Sequence, residues 1–127
     1  KLNDSTLVQI LNGTPFKELF WRSCGMRCGP GLLDLGVSIT ERPLVSMGAH
    51  VTLNEASLIQ SHSLEEGVFK SGRVEIGDGA TLGVRAYVHY ATQVGEGAVI
   101  ETDTFLMKGE RVAQGEIWAG NPARRIA

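Results

Sequence analysis

The sequence predicts an all-β solenoid, a left-handed parallel β-helix of hexapeptide repeats, with a short helix in front and one loop ejected from the stack. Three observations lead there. In "IGDGATLGVRAYVHYATQVGEGAVIETDTFLMKGERV" every sixth residue is aliphatic: Ile76, Leu82, Val88, Val94, Ile100, Leu106 and Val112. Met47, Leu53 and Ile59 hold the same spacing upstream. The position four residues after each aliphatic is usually small, as at Ser57, Ser63, Ala80, Ala86, Thr92, Ala98 and Thr104, and the position just after it is often glycine, as at Gly48, Gly77, Gly83 and Gly95.

A period of six suits neither a helix nor an ordinary strand. It suits a triangular prism in which each hexapeptide makes one short strand and one corner. The aliphatic residue points inward, the small residue fits where the turn narrows the interior, and glycine or asparagine supplies left-handed backbone at the corners. Coils then stack at about 4.8 Å, each strand bonding to the one above. Such prisms wind left-handed, against the usual crossover rule. A sandwich of short strands would instead show period-two alternation with turns every 8–12 residues.

The elements follow in order. Residues 1–25 form an N-terminal segment ending in a capping helix: in "GTPFKELFWRSCG", Thr14 is the N-cap, Pro15 the first helical residue, and Gly25 lies past the end. Phe16, Leu19 and Phe20 give this helix an apolar stripe expected to close the open end of the prism. Residues 26–127 form the prism, with an irregular first coil from Met26 to Ser46. Ile59 and Ile76 lie 17 apart, which is not a multiple of six, so a loop, residues 63–73, is ejected there. Polar loops ejected from regular repeats commonly carry function.

Composition narrows the function. The 127 residues suffice for one domain of modest core, and the net charge of −2 gives no nucleic-acid surface. Sixteen Gly against four Pro indicate tight turns rather than a disordered linker. No apolar run approaches the roughly 18 residues that span a bilayer, and no signal peptide is visible. The first residue is Lys1 rather than Met, so a piece of a longer protein is expected.

Chemistry-bearing residues are few. Cys24 and Cys28 lack two further ligands at zinc spacing, so reduced thiols and no metal site are expected. His62 stands where the regular coil meets the ejected loop. Imidazole titrates near pH 6.5, so His62 can serve as a general base for an attacking amine or hydroxyl; the alternative is a surface histidine. His89 and His50 lie at corner or outward positions and are expected to be solvated. No phosphate-binding glycine loop and no Gly-x-Ser-x-Gly element occurs.

The hexapeptide frame, a histidine before an ejected loop, and the closing "WAGNPARRI" together resemble the left-handed β-helix acyltransferases. More narrowly, "GTPFKELFWRSCG", "ITERPLVSMGAHVTLNEASLIQSHSLEEGVFKSG" and "VEIGDGATLG" are similar to the C-terminal region of nonribosomal peptide synthetases of the epsilon-poly-lysine synthetase type. In that family, tandem acetyltransferase-like domains are interleaved with transmembrane helices and join amino acids delivered as phosphopantetheine thioesters. The resemblance implies amide formation from a carrier-bound thioester, with His62 as base. It places Asn54, Glu55 and Gln60 near the acceptor, and Trp118, Asn121 and Pro122 near the pantetheine arm. No bound cofactor is implied: a carrier's phosphopantetheine thioester, or acetyl-CoA, is the donor.

The implied partners are a carrier domain, sister domains in a trimer or pseudo-trimer, and an amine acceptor. The implied setting is cytoplasmic, with membrane contact only through a parent protein. Two alternatives stand beside this one: a catalytically silent copy that completes a three-domain ring, and an acetyl-CoA-dependent acetyltransferase. A metalloenzyme on the same fold, of the gamma carbonic anhydrase kind, needs paired histidines, whereas His62 and His89 lie 27 apart.

Overall fold

The computed structural model describes residues 10–127; the first nine residues of the expected N-terminal segment lie outside it. The helix is present as α1 (Pro15–Ser23). The strands that follow are β1 (Arg27–Cys28), β2 (Leu33–Asp34), β3 (Ser38–Ile39), β4 (Val45–Met47), β5 (Thr52–Leu53) and β6 (Leu58–Ile59). The 3-10 turn Arg42–Leu44 sits between β3 and β4. Next come the long pair β7 (His62–Glu65) and β8 (Val68–Ser71). Regular strands resume with β9 (Val74–Ile76), β10 (Thr81–Leu82), β11 (Tyr87–Val88), β12 (Gln93–Val94), β13 (Val99–Ile100), β14 (Phe105–Leu106), β15 (Arg111–Val112), β16 (Ile117–Ala119) and β17 (Arg124–Arg125).

Successive regular strands pass from sheet to sheet in rotation. The first sheet has the order β1-β4-β9-β12-β15, the second β2-β5-β10-β13-β16-β17, and the third β3-β6-β11-β14. Every pairing in these sheets is parallel except β16 with β17. The registers align the hexapeptide frame: Ile76, Val94 and Val112 in one column, Leu53, Leu82 and Ile100 in the next, Ile59, Val88 and Leu106 in the third. All nine are buried, six of them completely. Burying such side chains contributes about 1.5–3 kcal/mol each, so this shared interior dominates stability.

β4 and β9 pair with Met47 opposite Ile76, 29 residues apart where a regular coil takes 18. The 11 extra residues make an antiparallel arm, β7 against β8, with Leu64, Val68 and Phe69 exposed. Ser63, expected at a small interior position, lies in this arm instead. The chain leaves the prism at His62, and Ser61 takes the buried place.

Two expectations are corrected. The glycines after the inward aliphatic do not supply left-handed backbone. A Cβ on Gly83 would meet Glu101 carbon and Thr102 nitrogen of the next coil at 2.6 Å, and Gly77 and Gly95 are equally tight, so these glycines permit close stacking. Left-handed φ falls two residues later, at Gly79 and Gly97, and at Ala91 and Asp103 where glycine is missing.

The helix also turns a different face inward. Phe16 and Leu19 are exposed, while Lys17 and Trp21 are buried. Asp34 occupies the inward position of β2 opposite Leu53, and a buried carboxylate must be paired and hydrogen-bonded. Lys17 Nζ lies 3.2 Å from it, and Trp21 donates its indole N–H to it at 2.6 Å. The backbone N–H groups of Gly36 and Val37 donate to its other oxygen. Satisfying Asp34 therefore outweighs burying Phe16. Thr14 precedes the helix in extended backbone but does not cap it; its hydroxyl donates to Leu11 carbonyl. Pro15 and Gly25 fall where expected, with Gly25 at φ 92.

Candidate functional site

The edge between the third and first sheets gathers most of the unusual side chains. In coil order it carries Thr40 and Glu41, then Gln60 to His62, then His89 and Tyr90, then Met107 and Lys108. The arm springs from this edge, and His62 is its first residue.

His62 Nδ1 lies 2.5 Å from Glu41 Oε1, a close imidazole–carboxylate contact without the alignment of a good hydrogen bond. Burial opposes ionisation of Glu41, yet the neighbouring Thr40 and the His62 imidazole hold its pKa below the usual carboxylate value. The carboxylate stays charged at neutral pH beside the imidazole. Phe69 returns along β8 and stacks on the ring, with centroids 5.4 Å apart at 12°. The ring is thus held by a carboxylate on one side and an aromatic face on the other. Gln60 Nε2 donates to the His62 carbonyl at 3.0 Å, and Tyr87 donates its hydroxyl to Gln60 Oε1. Tyr87 itself stacks on Phe105 at 4.5 Å.

The far end of β7 is tied down by Glu65. It accepts from the Tyr90 hydroxyl at 2.5 Å and pairs with Lys108 one coil further on. The bond from Lys108, then that from Tyr90, brings the Glu65 pKa down to about 2. An isolated hairpin is marginal in water, so these contacts fix the arm.

His89 was expected to be solvated. It is half-buried on this edge, ringed edge-on by Tyr87, Tyr90 and Phe105, with centroids at 5.8, 4.8 and 6.0 Å. The hexapeptide frame identifies the corner but not the aromatic neighbours that roof it. His50 is exposed, as expected.

The other expected site residues do not meet His62 within this chain. Asn54 and Glu55 lie on the edge between the second and third sheets, across the width of the third. Asn54 Nδ2 donates to the Leu82 carbonyl, within the coil stack, and Glu55 is exposed. Trp118 takes the inward register of β16 opposite Ile100 and packs half-buried on the core, its indole N–H donating to Glu116 at 3.2 Å. Asn121 and Pro122 are exposed beyond β16, joined by a cis peptide bond.

An open groove of about 680 Å³ runs down the first sheet, past Gly48, Gly77, Gly95 and Ala113; no arm residue, Glu41 or His62 lines it. Cys24 and Cys28 are free and half-buried, and burial pushes the Cys28 thiol up. Among the described residues no group of three potential ligands could hold a metal ion, and no helix is long and apolar enough to cross a membrane. Glu41, Phe69, Tyr87 and His89 were missed from sequence. The Ser61 N–H donates to the Thr40 hydroxyl and so fixes the Glu41 corner against this coil, but the irregular first coil leaves no sequence signal for it.

No family model matches the chain. It is 34% identical over 116 residues to a delta-poly-L-ornithine synthetase of Acinetobacter baumannii, across 91% of this chain and 9% of that protein. The chain therefore spans about a tenth of that relative. The relative is a poly-ornithine synthetase, where the sequence resemblance had pointed to the poly-lysine type. Among solved structures, a hexapeptide-repeat containing acetyltransferase of Vibrio cholerae superposes with a TM-score of 0.77 at 14% identity, covering 95% of this chain and 85% of that one. An N-acyltransferase from Bacillus cereus, in complex with dTDP and coenzyme A, superposes with 0.62 at 12% identity, covering 87% and 88%. At these identities the likeness establishes architecture alone: the chain has the fold of the hexapeptide-repeat acetyltransferases, with an arm, a histidine and a carboxylate on one edge.

Proposed function

We propose that this chain is an acyltransferase domain that forms an amide from a thioester and an amine, with His62 as general base. The observation that carries this reading is the Glu41–His62 contact at the foot of the arm. An ionised carboxylate beside a base fixes the ring and favours the imidazolium that forms on proton uptake. The amine nitrogen attacks the thioester carbon while His62 takes its proton. The tetrahedral intermediate then collapses, the C–S bond breaks, and the proton passes to the departing thiolate. Backbone N–H groups steady the oxyanion.

The donor in this reading is a carrier-bound phosphopantetheine thioester in a longer synthetase, since the relative of highest identity named above is a poly-ornithine synthetase. An acetyl-CoA donor is the second reading, favoured by the coenzyme A bound to the Bacillus cereus neighbour. The hexapeptide pattern carries left-handed winding with either. Gln60 positions His62, because both ends of its amide are already engaged.

Asn54, Glu55, Trp118, Asn121 and Pro122 belong, on this reading, to surfaces that meet His62 from a neighbouring prism in a trimer or pseudo-trimer. A single flat face gives no deep pocket, and two prisms side by side make a groove. The test is His62→Ala, assayed with a loaded carrier and candidate amines by mass spectrometry. A loss of about 10²–10⁴-fold is expected. Undiminished product assigns the chemistry elsewhere and leaves this copy structural. Turnover of free acetyl-CoA equal to that of the loaded carrier favours the second reading.

A further inference from the structure

We infer that His89 is a second catalytic residue, its neutral imidazole donating an Nε2–H hydrogen bond to the acyl oxygen of the thioester as negative charge develops there. The inference rests on the acyl-transfer reading above and adds a group which that reading does not use.

The placement is the first argument. The pairing of Ile59 with Val88 stacks Gln60 directly against His89, so His89 lies one coil from the residue that holds the His62 backbone. His62 at the foot of the arm, Glu65 at the far end of β7 and Lys108 after β14 are the charged or titratable groups close enough to bias it. Tyr87 and Tyr90 face it edge-on and spend their hydroxyls on Gln60 and Glu65. None of these groups hydrogen-bonds to the His89 ring.

The protonation state is the second argument. His89 Nδ1 is sealed from solvent and has no partner, while Nε2 is not among the buried, unpartnered atoms. A buried N–H without an acceptor is rarer in proteins than a buried lone pair without a donor. The proton therefore sits on Nε2, and the ring carries one donor toward the open side. Protonating Nδ1 as well would bury an orphan N–H beside Lys108 and His62. Burial indeed holds the His89 pKa below its ordinary value, and the pull of Glu65 does not reverse this. An imidazole whose remaining lone pair, on Nδ1, is sealed from solvent suits a donor and not a second base. In the attack, the Nε2–H stays on His89 throughout, and the amine proton goes to His62.

Phe69 covers one face of His62, and the rings of Tyr87 and Phe105 flank His89 edge-on. A donor preorganised in such surroundings acts most strongly on a developing oxyanion.

Two measurements test it. In the first, His89→Phe, which fits the aromatic surround, and His89→Gln, which keeps a donor, are assayed with an aminoacyl-pantetheine thioester and a primary amine. His89→Phe is expected to lower kcat by about 10²–10³-fold with little change in amine KM. His89→Gln should recover at least tenfold of that, and both should melt with the parent. Overturning results are a His89→Phe kcat within threefold of the parent, a loss confined to KM, or equal losses in the two variants. The second measurement needs no activity: the ring ¹⁵N shifts of His89 at pH 7. An Nε2–H neutral tautomer is expected, and an Nδ1–H tautomer or a cation overturns the inference. Full activity in His62→Ala would remove the base reading while leaving the tautomer result to stand or fall on its own.

Discussion

Gly83→Ala isolates the force that sets the spacing of the coils. A Cβ at this position would sit 2.6 Å from the backbone of Glu101 and Thr102, against an ordinary contact of 3.4 Å or more. The two coils must open there by roughly 0.8 Å. The Gly83 N–H donates to Ile100 carbonyl at 2.7 Å, so the same opening takes that bond to about 3.5 Å, beyond useful range. Overpacking of about 1–3 kcal/mol plus about 1 kcal/mol for the ladder bond gives about 2–4 kcal/mol. At roughly 3–5 °C per kcal/mol for a domain of this size, Tm falls by about 10 °C. Gly79→Ala is the control: φ is +70 with nothing within 4 Å, so only backbone strain of about 1–2 kcal/mol applies, partly offset in the unfolded chain. Thermal unfolding followed by circular dichroism compares the pair. A Gly83→Ala Tm within 2 °C of the parent, or a larger loss for Gly79→Ala, would refute the close-stacking account.

Other perturbations address the site and the corners. Glu41→Gln keeps the shape but removes the charge beside His62; kcat should fall by about 10²-fold with KM unchanged, and a change under twofold in steady-state assays would sink the dyad. The Glu65 pKa is lowered from 4.5 to about 2 on folding, so the anchoring of the arm is fully present above pH 4.5 and is lost as pH falls toward 2. Tyr90 ring signals in NMR should accordingly stay constant from pH 6 to about 4.5 and move only below it; a midpoint near 4.5 would show that the clamp is not formed. Ala56→Gly relieves a left-handed residue at φ 61 on an exposed corner, and Tm should rise by a few degrees, whereas a fall would mean the corner is unstrained.

The period of six carried the interior because, from Met47 to Val112, every inward column is filled by aliphatic side chains in one frame. Ile76, Val94 and Val112 could be assigned before any register was known. The arm was legible as a broken period, since an insertion leaves the frame intact on both sides. The face of α1 was not legible, because it is set by a polar residue at an inward position. Asp34 stands where Leu53 and Leu82 stand in later coils, and nothing in the local pattern reveals that a carboxylate is buried. Glu41 was hidden for a related reason: the first coil departs from the frame, so its corner could not be matched to Gln60 by counting. His89 shows the limit of residue-by-residue reading. Its slot is an outward corner, and the rings of Tyr87, Tyr90 and Phe105, from two coils, leave it half-buried.

A stack of identical coils has no built-in length, since the last strand of each sheet presents the same unpaired row as every strand before it. The reversal of β17 onto β16 breaks that equivalence in the second sheet. An antiparallel strand cannot accept the next parallel coil in register, and it brings Arg124 and Arg125 to the rim, with Arg125 held by Glu116 at 3.1 Å. Charged side chains on a sheet edge deter pairing with another chain. The reversed strand thus closes the second sheet to a further parallel coil in register.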